Sequence, residues 1–295
     1  MYEDIKRNKI KTGAIIVGFT LMITLIIYTI CYLSDFSEYA IVIALGFSII
    51  STILTYYNCD KIVLASVRAR PATKEEDLKL TNILDALMIT ADLPVRPKLY
   101  VIDSNQANAF ATGRNPEKAI ICITSGLLEK LDYYELEGVV AHELAHVKNY
   151  DIRLSAVISV MVGFIVIISD IFVRTIFRGS RGSSKNSKGN AIIMVIGLIF
   201  LILSPIISQL IQLMVSRRRE YLADATAVSM TRNPDGLVSA LLKISGDSSE
   251  LDVASNSNSY MYIINPFKNK RNNKTSLFST HPAIEERVAA IKNLR

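Results

Sequence analysis

Residues 14–33 and 39–57 carry no charged side chain, and each run is about the ~20 residues that an α-helix needs to cross a bilayer core roughly 30 Å thick. Chains with such runs fold around lipid, because a helix satisfies every backbone hydrogen bond internally. Residues 154–173 form a third run, interrupted only by Asp170, and residues 191–215 a fourth. The pattern predicts four spanning helices in two hairpins. The first run follows Lys6, Arg7, Lys9 and Lys11, as a secretory signal would, but it is too long and lacks a small-x-small cleavage site before Ser34. It reads as an uncleaved anchor.

Basic residues accumulate in short cytoplasmic loops. The N-terminus is basic, the turn at residues 34–38 is acidic, and Lys61, Arg68 and Arg70 follow the second run. Both ends of the first hairpin therefore belong in the cytoplasm. Lys148 and Arg153 before the third run, and Arg217, Arg218 and Arg219 after the fourth, place the second hairpin likewise. The loop at residues 174–188 disagrees, with five basic residues where the outside would be; the charge rule is statistical, so the spanning reading is kept, with a hairpin that enters the membrane without crossing it as the alternative. A net charge of +6 does not point to nucleic acid, since the cations flank the hydrophobic runs and match anionic headgroups. The partners expected are the bilayer and a protein or peptide, with no nucleic acid; nothing sets an oligomeric state. Cys31, Cys59 and Cys122 show no paired spacing, so neither a disulfide framework nor a thiolate metal site is expected.

Between the hairpins, residues 71–151 read as a soluble αβ unit. Thr73 with Glu75, Glu76 and Asp77 behind it starts a helix reaching about Thr90, which Pro94 and Pro97 stop. Residues 98–102 and 119–124 read as strands, joined most simply as a hairpin through Gly113-Arg114-Asn115-Pro116. Helices follow from near Ser125 and from near Asp132 to Lys148. After Glu220 the pattern is helical to about Met230, then from Pro234 to Ile244 and from Pro282 to Leu294, whereas the Ser- and Asn-rich residues 247–274 read as an exposed or mobile loop. The predicted units are residues 1–66 (first membrane hairpin), 67–153 (first part of the soluble domain), 154–216 (second hairpin) and 217–295 (its second part).

The helix ending at Lys148 contains His142-Glu143-Leu144-Ala145-His146. Residues four apart share a helix face, so His142 and His146 can present ring nitrogens to one zinc ion while Glu143 reaches the water beside it. Zinc brings that water's pKa toward ~7 and a carboxylate takes its proton, which is the chemistry of peptide hydrolysis. A pair of surface histidines is the bland alternative. It fits poorly, because Val139, Val140, Ala141, Leu144, Ala145 and Val147 make the helix apolar all round. A catalytic zinc needs a third protein ligand. A third histidine just beyond the motif is absent, since Asn149 and Ile152 stand where its Gly and His would fall. Glu220 is the best candidate, with Asp224 four residues on placed to orient a ligating imidazole. Glu220 on its own would be an ordinary charged helix end. Both ligand helices must reach one ion, so the intervening apolar segment has to leave and return on one side, as a hairpin does.

Taken together, the two leading spans, Asn108-Ala109-Phe110-Ala111-Thr112-Gly113, the His142–His146 motif, the second hairpin, Arg219 to Asp224 and Ser279-Thr280-His281-Pro282 resemble the HtpX family of membrane zinc peptidases, relatives of the eukaryotic prenyl-protein peptidase. The resemblance covers nearly the whole chain. It implies a mainly α membrane protein with a gluzincin-like α+β peptidase domain, one zinc per chain on His142, His146 and Glu220, and Glu143 as base. It implies that His281 and Arg287 donate to the oxyanion, and that Asn108, Ala109, Phe110 and Ala111 form an edge strand for substrate. The activity implied is endoproteolysis of unfolded or damaged, including membrane, proteins; the basic flanks place it at the cytoplasmic face, and the Ile-, Lys- and Asn-rich composition without Trp points to a prokaryotic cell membrane. Specific processing of a membrane or lipid-modified protein is the second enzyme reading, and an idle scaffold with structural zinc is the reading of another class. Glu143 speaks against the scaffold, since a closed structural site has no use for a base.

Overall fold

The computed structural model describes residues 2–33, 39–179, 217–255, 258–267 and 282–294. Among them the chain is mostly helical with one small mixed sheet. Helix α1 (Tyr2–Leu33) is long and apolar enough over Ile5–Tyr28 to cross a membrane. Helix α2 (Ala40–Tyr57) meets α3 (Cys59–Ser66) at a 70° bend. Val17, Leu21 and Leu25 on α1 and Val42, Phe47 and Ile50 on α2 lie exposed. An apolar face of this extent is stable against lipid and costly against water. Two hydroxyl pairs, Thr20 with Thr52 at 3.0 Å and Thr24 with Ser48 at 2.6 Å, join α1 to α2. Such bonds hold membrane helices together where apolar surface gives no advantage over lipid. Helix α7 (Asp151–Gly179) packs Val157, Met161 and Ile165 on Phe19 and Ile23 of α1. The fourth predicted span, residues 191–215, and most of the basic loop before it lie outside the described residues.

The soluble part begins with strand β1 (Arg70–Pro71) and helix α4 (Lys74–Ala91). The Thr73 hydroxyl accepts from the Glu76 amide and the Glu76 carboxylate accepts from the Thr73 amide, a reciprocal cap that fixes the helix start. Strands β2 (Lys98–Ile102), β3 (Ala109–Thr112) and β4 (Ile120–Thr124) complete a sheet of order β1-β2-β4-β3. The expected hairpin of residues 98–102 with 119–124 is corrected here. Those strands are neighbours but parallel, Leu99 facing Ile121, and the turn at Gly113–Pro116 instead joins β3 to β4. The short polar residues Asp103 to Gln106 interrupt the run, and the chain must reverse there before a third strand can form. Gly113 takes φ 144°, a region closed to side chains, so this turn depends on glycine.

Helices α5 (Ser125–Lys130) and α6 (Tyr133–Lys148) follow, the latter capped reciprocally by Asp132 and Glu135. Helix α6 is the centre of the core. Leu136, Val139, Val140 and Leu144 pack among Ile83, Leu87, Ile121 and Ile123, with Leu237 and Leu241 beyond them. Helices α8 (Arg217–Thr231) and α9 (Pro234–Gly246) cover its other side, and α10 (Ile284–Lys292) packs on both of them. At the crossing with α9, a Cβ on Gly138 would lie 2.9 Å from the Leu237 backbone. Gly138→Ala is therefore expected to destabilise the fold by about 1–3 kcal/mol, the usual range for overpacking, although alanine is the better helix former. Thermal unfolding of the variant checks this; an unchanged midpoint would mean the helices can separate freely at that point.

The expectation of an exposed loop over residues 247–274 is also corrected for the part described. Leu251, Tyr260, Tyr262 and Ile263 are buried, and Phe110 meets Tyr262 edge-on. The polar residues fold the segment on itself: Asn258 accepts from the Ser255 amide and donates to the Val253 carbonyl, and Asp247 accepts from the Ser249 and Ala107 amides. Their number conceals the apolar anchor at Tyr260-Met261-Tyr262-Ile263-Ile264. Residues 268–274 lie outside the described residues.

Candidate metal centre

Helix α6 is buried on nearly every side, so its motif histidines sit inside protein. Helix α8 approaches along a face whose small residues Ala223 and Ala227 allow close contact, and Glu220 and Asp224 point from that face toward α6. His142, His146 and Glu220 each offer a ligand atom within 4.8 Å of the others. The two imidazole Nε2 atoms are 3.2 Å apart, and Glu220 oxygens lie 3.7 Å from each. Two nitrogens bound tetrahedrally to one zinc would be about 3.3 Å apart.

Each outer ring nitrogen meets a carboxylate. His142 Nδ1 is 2.9 Å from Asp224 Oδ1, and His146 Nδ1 is 3.0 Å from Asp151 Oδ2. A carboxylate only accepts, so both Nδ1 atoms carry a proton, and whenever the rings are neutral both Nε2 lone pairs face the same point. Two facing lone pairs beside a carboxylate repel unless a cation lies among them. Burial disfavours a charged His146 ring, yet the carboxylates of Asp151, Glu220 and Glu143 outweigh it and push its pKa up to about 9. That same field favours a divalent cation, which fits all three donors where a proton can join only two. The residues present fit a metal.

Glu143 is buried beside the ligands, and that burial raises its carboxyl above the usual range, while the Ala111 backbone amide favours the ionised form. Strand β3 thus lies over the base. It is the edge of the sheet, as the family resemblance implied for Asn108 to Ala111, and all four residues are buried. The Ile263 amide donates to the Ala109 carbonyl at 2.9 Å, and Asn108 Nδ2 donates to the Ile264 carbonyl. Segment 259–264 therefore runs beside this end of the edge.

Arg287 is fully buried on α10. It binds Asp224 through Nε at 2.9 Å and Nη2 at 2.6 Å, donates from Nη1 to the Ile263 carbonyl, and lies 3.8 Å from Glu220 Oε2. Burial works against a charge on Asp224, but Arg287 and the hydrogen-bonded His142 hold its carboxyl well below the usual range. Among the sequence-chosen residues, the structure brings together His142, Glu143, His146, Glu220, Asp224, Arg287 and Asn108 to Ala111. His281 lies outside the described residues.

Sequence reasoning missed Asp151. Tyr150 adopts φ 60°, which turns the chain sharply between α6 and α7 and returns Asp151 over His146. The signal was available: if Asp224 serves one ligating histidine, the other needs a carboxylate too.

The sequence profile of Peptidase family M48 matches residues 74–295. A protease HtpX homologue of Listeria monocytogenes serotype 4a is 41% identical, with the alignment covering all of both chains. One of Dictyoglomus thermophilum is 40% identical over 99% of this chain and 94% of that one. Among solved structures, S. mikatae Ste24p shares the fold at a TM-score of 0.50 and 22% identity, over 96% of this chain; the match spans 64% of the Ste24p chain. With its paired histidines, ligand-distance glutamate and buried base, and an apolar helix at its N-terminus, this chain belongs to peptidase family M48 and is a membrane-associated metalloprotease.

Proposed function

We propose that the chain is an integral-membrane zinc endopeptidase acting on unfolded or damaged proteins at the cytoplasmic face of a prokaryotic membrane. The observation that carries it is the convergence of two imidazole Nε2 atoms and Glu220 on one point, with the Glu143 carboxylate adjacent. His142, His146 and Glu220 would hold one zinc, which when bound supplies a Lewis acid that polarises a carbonyl and acidifies water. Glu143 takes the proton from the attacking water and later gives it to the leaving amine. Asp224 and Asp151 fix the tautomers of His142 and His146. Substrate backbone lies along Asn108, Ala109, Phe110 and Ala111 by strand addition, which must displace Ile263 from the Ala109 carbonyl or pair beyond it. Arg287 and His281 donate to the oxyanion; the guanidinium has five N–H donors, so its bonds to Asp224 and Ile263 leave some for substrate. Four helices in two hairpins anchor residues 67–153 and 217–295, which form one peptidase domain between them.

The test uses the full chain in proteoliposomes. Chelation should abolish cutting of a permanently unfolded protein, zinc should restore it better than calcium or magnesium, and the same protein folded should be spared. Equal cutting of folded and unfolded forms, or cutting restricted to prenylated peptides, would replace the quality-control reading with dedicated processing.

A further inference from the structure

Asn8 is buried on α1 between exposed Arg7 and Lys9. Its Nδ2 donates to Asp151 Oδ1 at 2.7 Å and to the Asn149 carbonyl at 3.1 Å. Both partners accept only, so the chemistry fixes which way the amide points. The other oxygen of Asp151 accepts from His146 Nδ1. A single carboxylate therefore joins the first membrane helix to a ligand of the metal. A further contact at Oδ1 is the Arg219 guanidinium at 3.4 Å, a long bond on the neighbour of Glu220, and the Lys11 ammonium shares the same pocket. Without Asn8, Asp151 would turn toward Arg219 and draw Oδ2 away from the imidazole.

We propose that Asn8 is a positioning residue for the metal centre, so that metal affinity depends on α1 being seated against the peptidase domain. The inference rests on the zinc reading above. Its consequence is that the site is complete only in the anchored chain: a molecule that has lost or misplaced α1 keeps His142, His146 and Glu220 but holds the ion weakly. Metal occupancy, and activity with it, is thereby higher where the helix is inserted.

The experiment measures zinc affinity of the full chain in nanodiscs by competition with a chelator, and the visible spectrum of the cobalt-loaded form. Asn8→Leu keeps the volume and removes the donor; Asn8→Ala is the second variant should leucine disturb folding. Each is expected to weaken affinity about 10-fold, the lower end for outer partners of metal ligands, and to shift the cobalt bands. Asp151→Ala should weaken it at least as much, and adding Asn8→Leu to Asp151→Ala should weaken it no further. Ser48→Ala, which loosens α1 from α2 far from the site, should leave affinity unchanged. Wild-type affinity and spectrum in both Asn8 variants would overturn the proposal. So would a full additional loss in the Asp151→Ala background, or an equal loss in Ser48→Ala. A wild-type chain that binds no zinc would sink the zinc reading and this inference together, whereas zinc bound equally by wild type and both Asn8 variants sinks the inference alone.

Discussion

Glu143→Gln is expected to retain the metal and lower kcat by about 10²- to 10⁴-fold, the range that a positioned general base contributes. The amide matches the carboxylate in shape but cannot take a proton from water. Glu143 is not among the three donor residues, so the ligand set is untouched. Its burial makes the substitution more informative. A carboxylate taken from water is a stronger base than a solvated one, and burial has moved Glu143 in that direction, whereas a neutral amide costs less to bury. Stability should therefore be unchanged or slightly raised while turnover collapses. Equal zinc content with undiminished cutting would remove Glu143 from the chemistry; zinc loss would make it a ligand or a structural support instead. The same measurement separates an enzyme from a scaffold with structural zinc, which would show no hydrolysis to lose.

The local features were legible from sequence where one interaction decides them. Thr73 and Asp132 start helices because a side chain answers free amides within three residues, and the fourfold spacing of His142 and His146 follows from the helical period. Glu220 was reached by a requirement, that a catalytic metal needs a third ligand, and the structure sets its oxygens 3.7 Å from both imidazoles. What stayed hidden depends on chain direction and long-range register. A strand written as Lys98–Ile102 pairs equally well parallel or antiparallel, and only the position of β3 at the edge decides. Composition misread segment 258–264 because local hydrogen bonds to backbone consume the Asn258 side chain, leaving Tyr262 and Ile263 for the core. Asn8 and Asp151 are 143 residues apart, and no local pattern joins a polar residue near the start of a membrane helix to the turn after a metal motif.

Glu220→Ala is expected to reduce zinc affinity by more than the 10- to 100-fold that follows loss of an outer partner, because it removes a ligand outright. The fold itself should persist. Arg287 keeps its two bonds to Asp224 and its bond to the Ile263 carbonyl, and α8 keeps Ala223, Ala227 and Met230 in the core. What is lost is the contribution of metal binding to stability, about 4 kcal/mol when free zinc is a thousandfold above its Kd. Wild type should therefore melt lower after chelation, whereas Glu220→Ala should melt near that lowered temperature with or without chelator. Two neutral imidazoles alone also leave a dication less compensated, so the remaining weak binding should shift toward other imidazole-binding metals such as copper. Metal content and melting measured together decide the point. Unchanged zinc in Glu220→Ala would exclude Glu220 from the ligand set and require another carboxylate; Asp151 and Asp224 would each have to release the outer nitrogen of a histidine, which leaves Glu143 as the alternative.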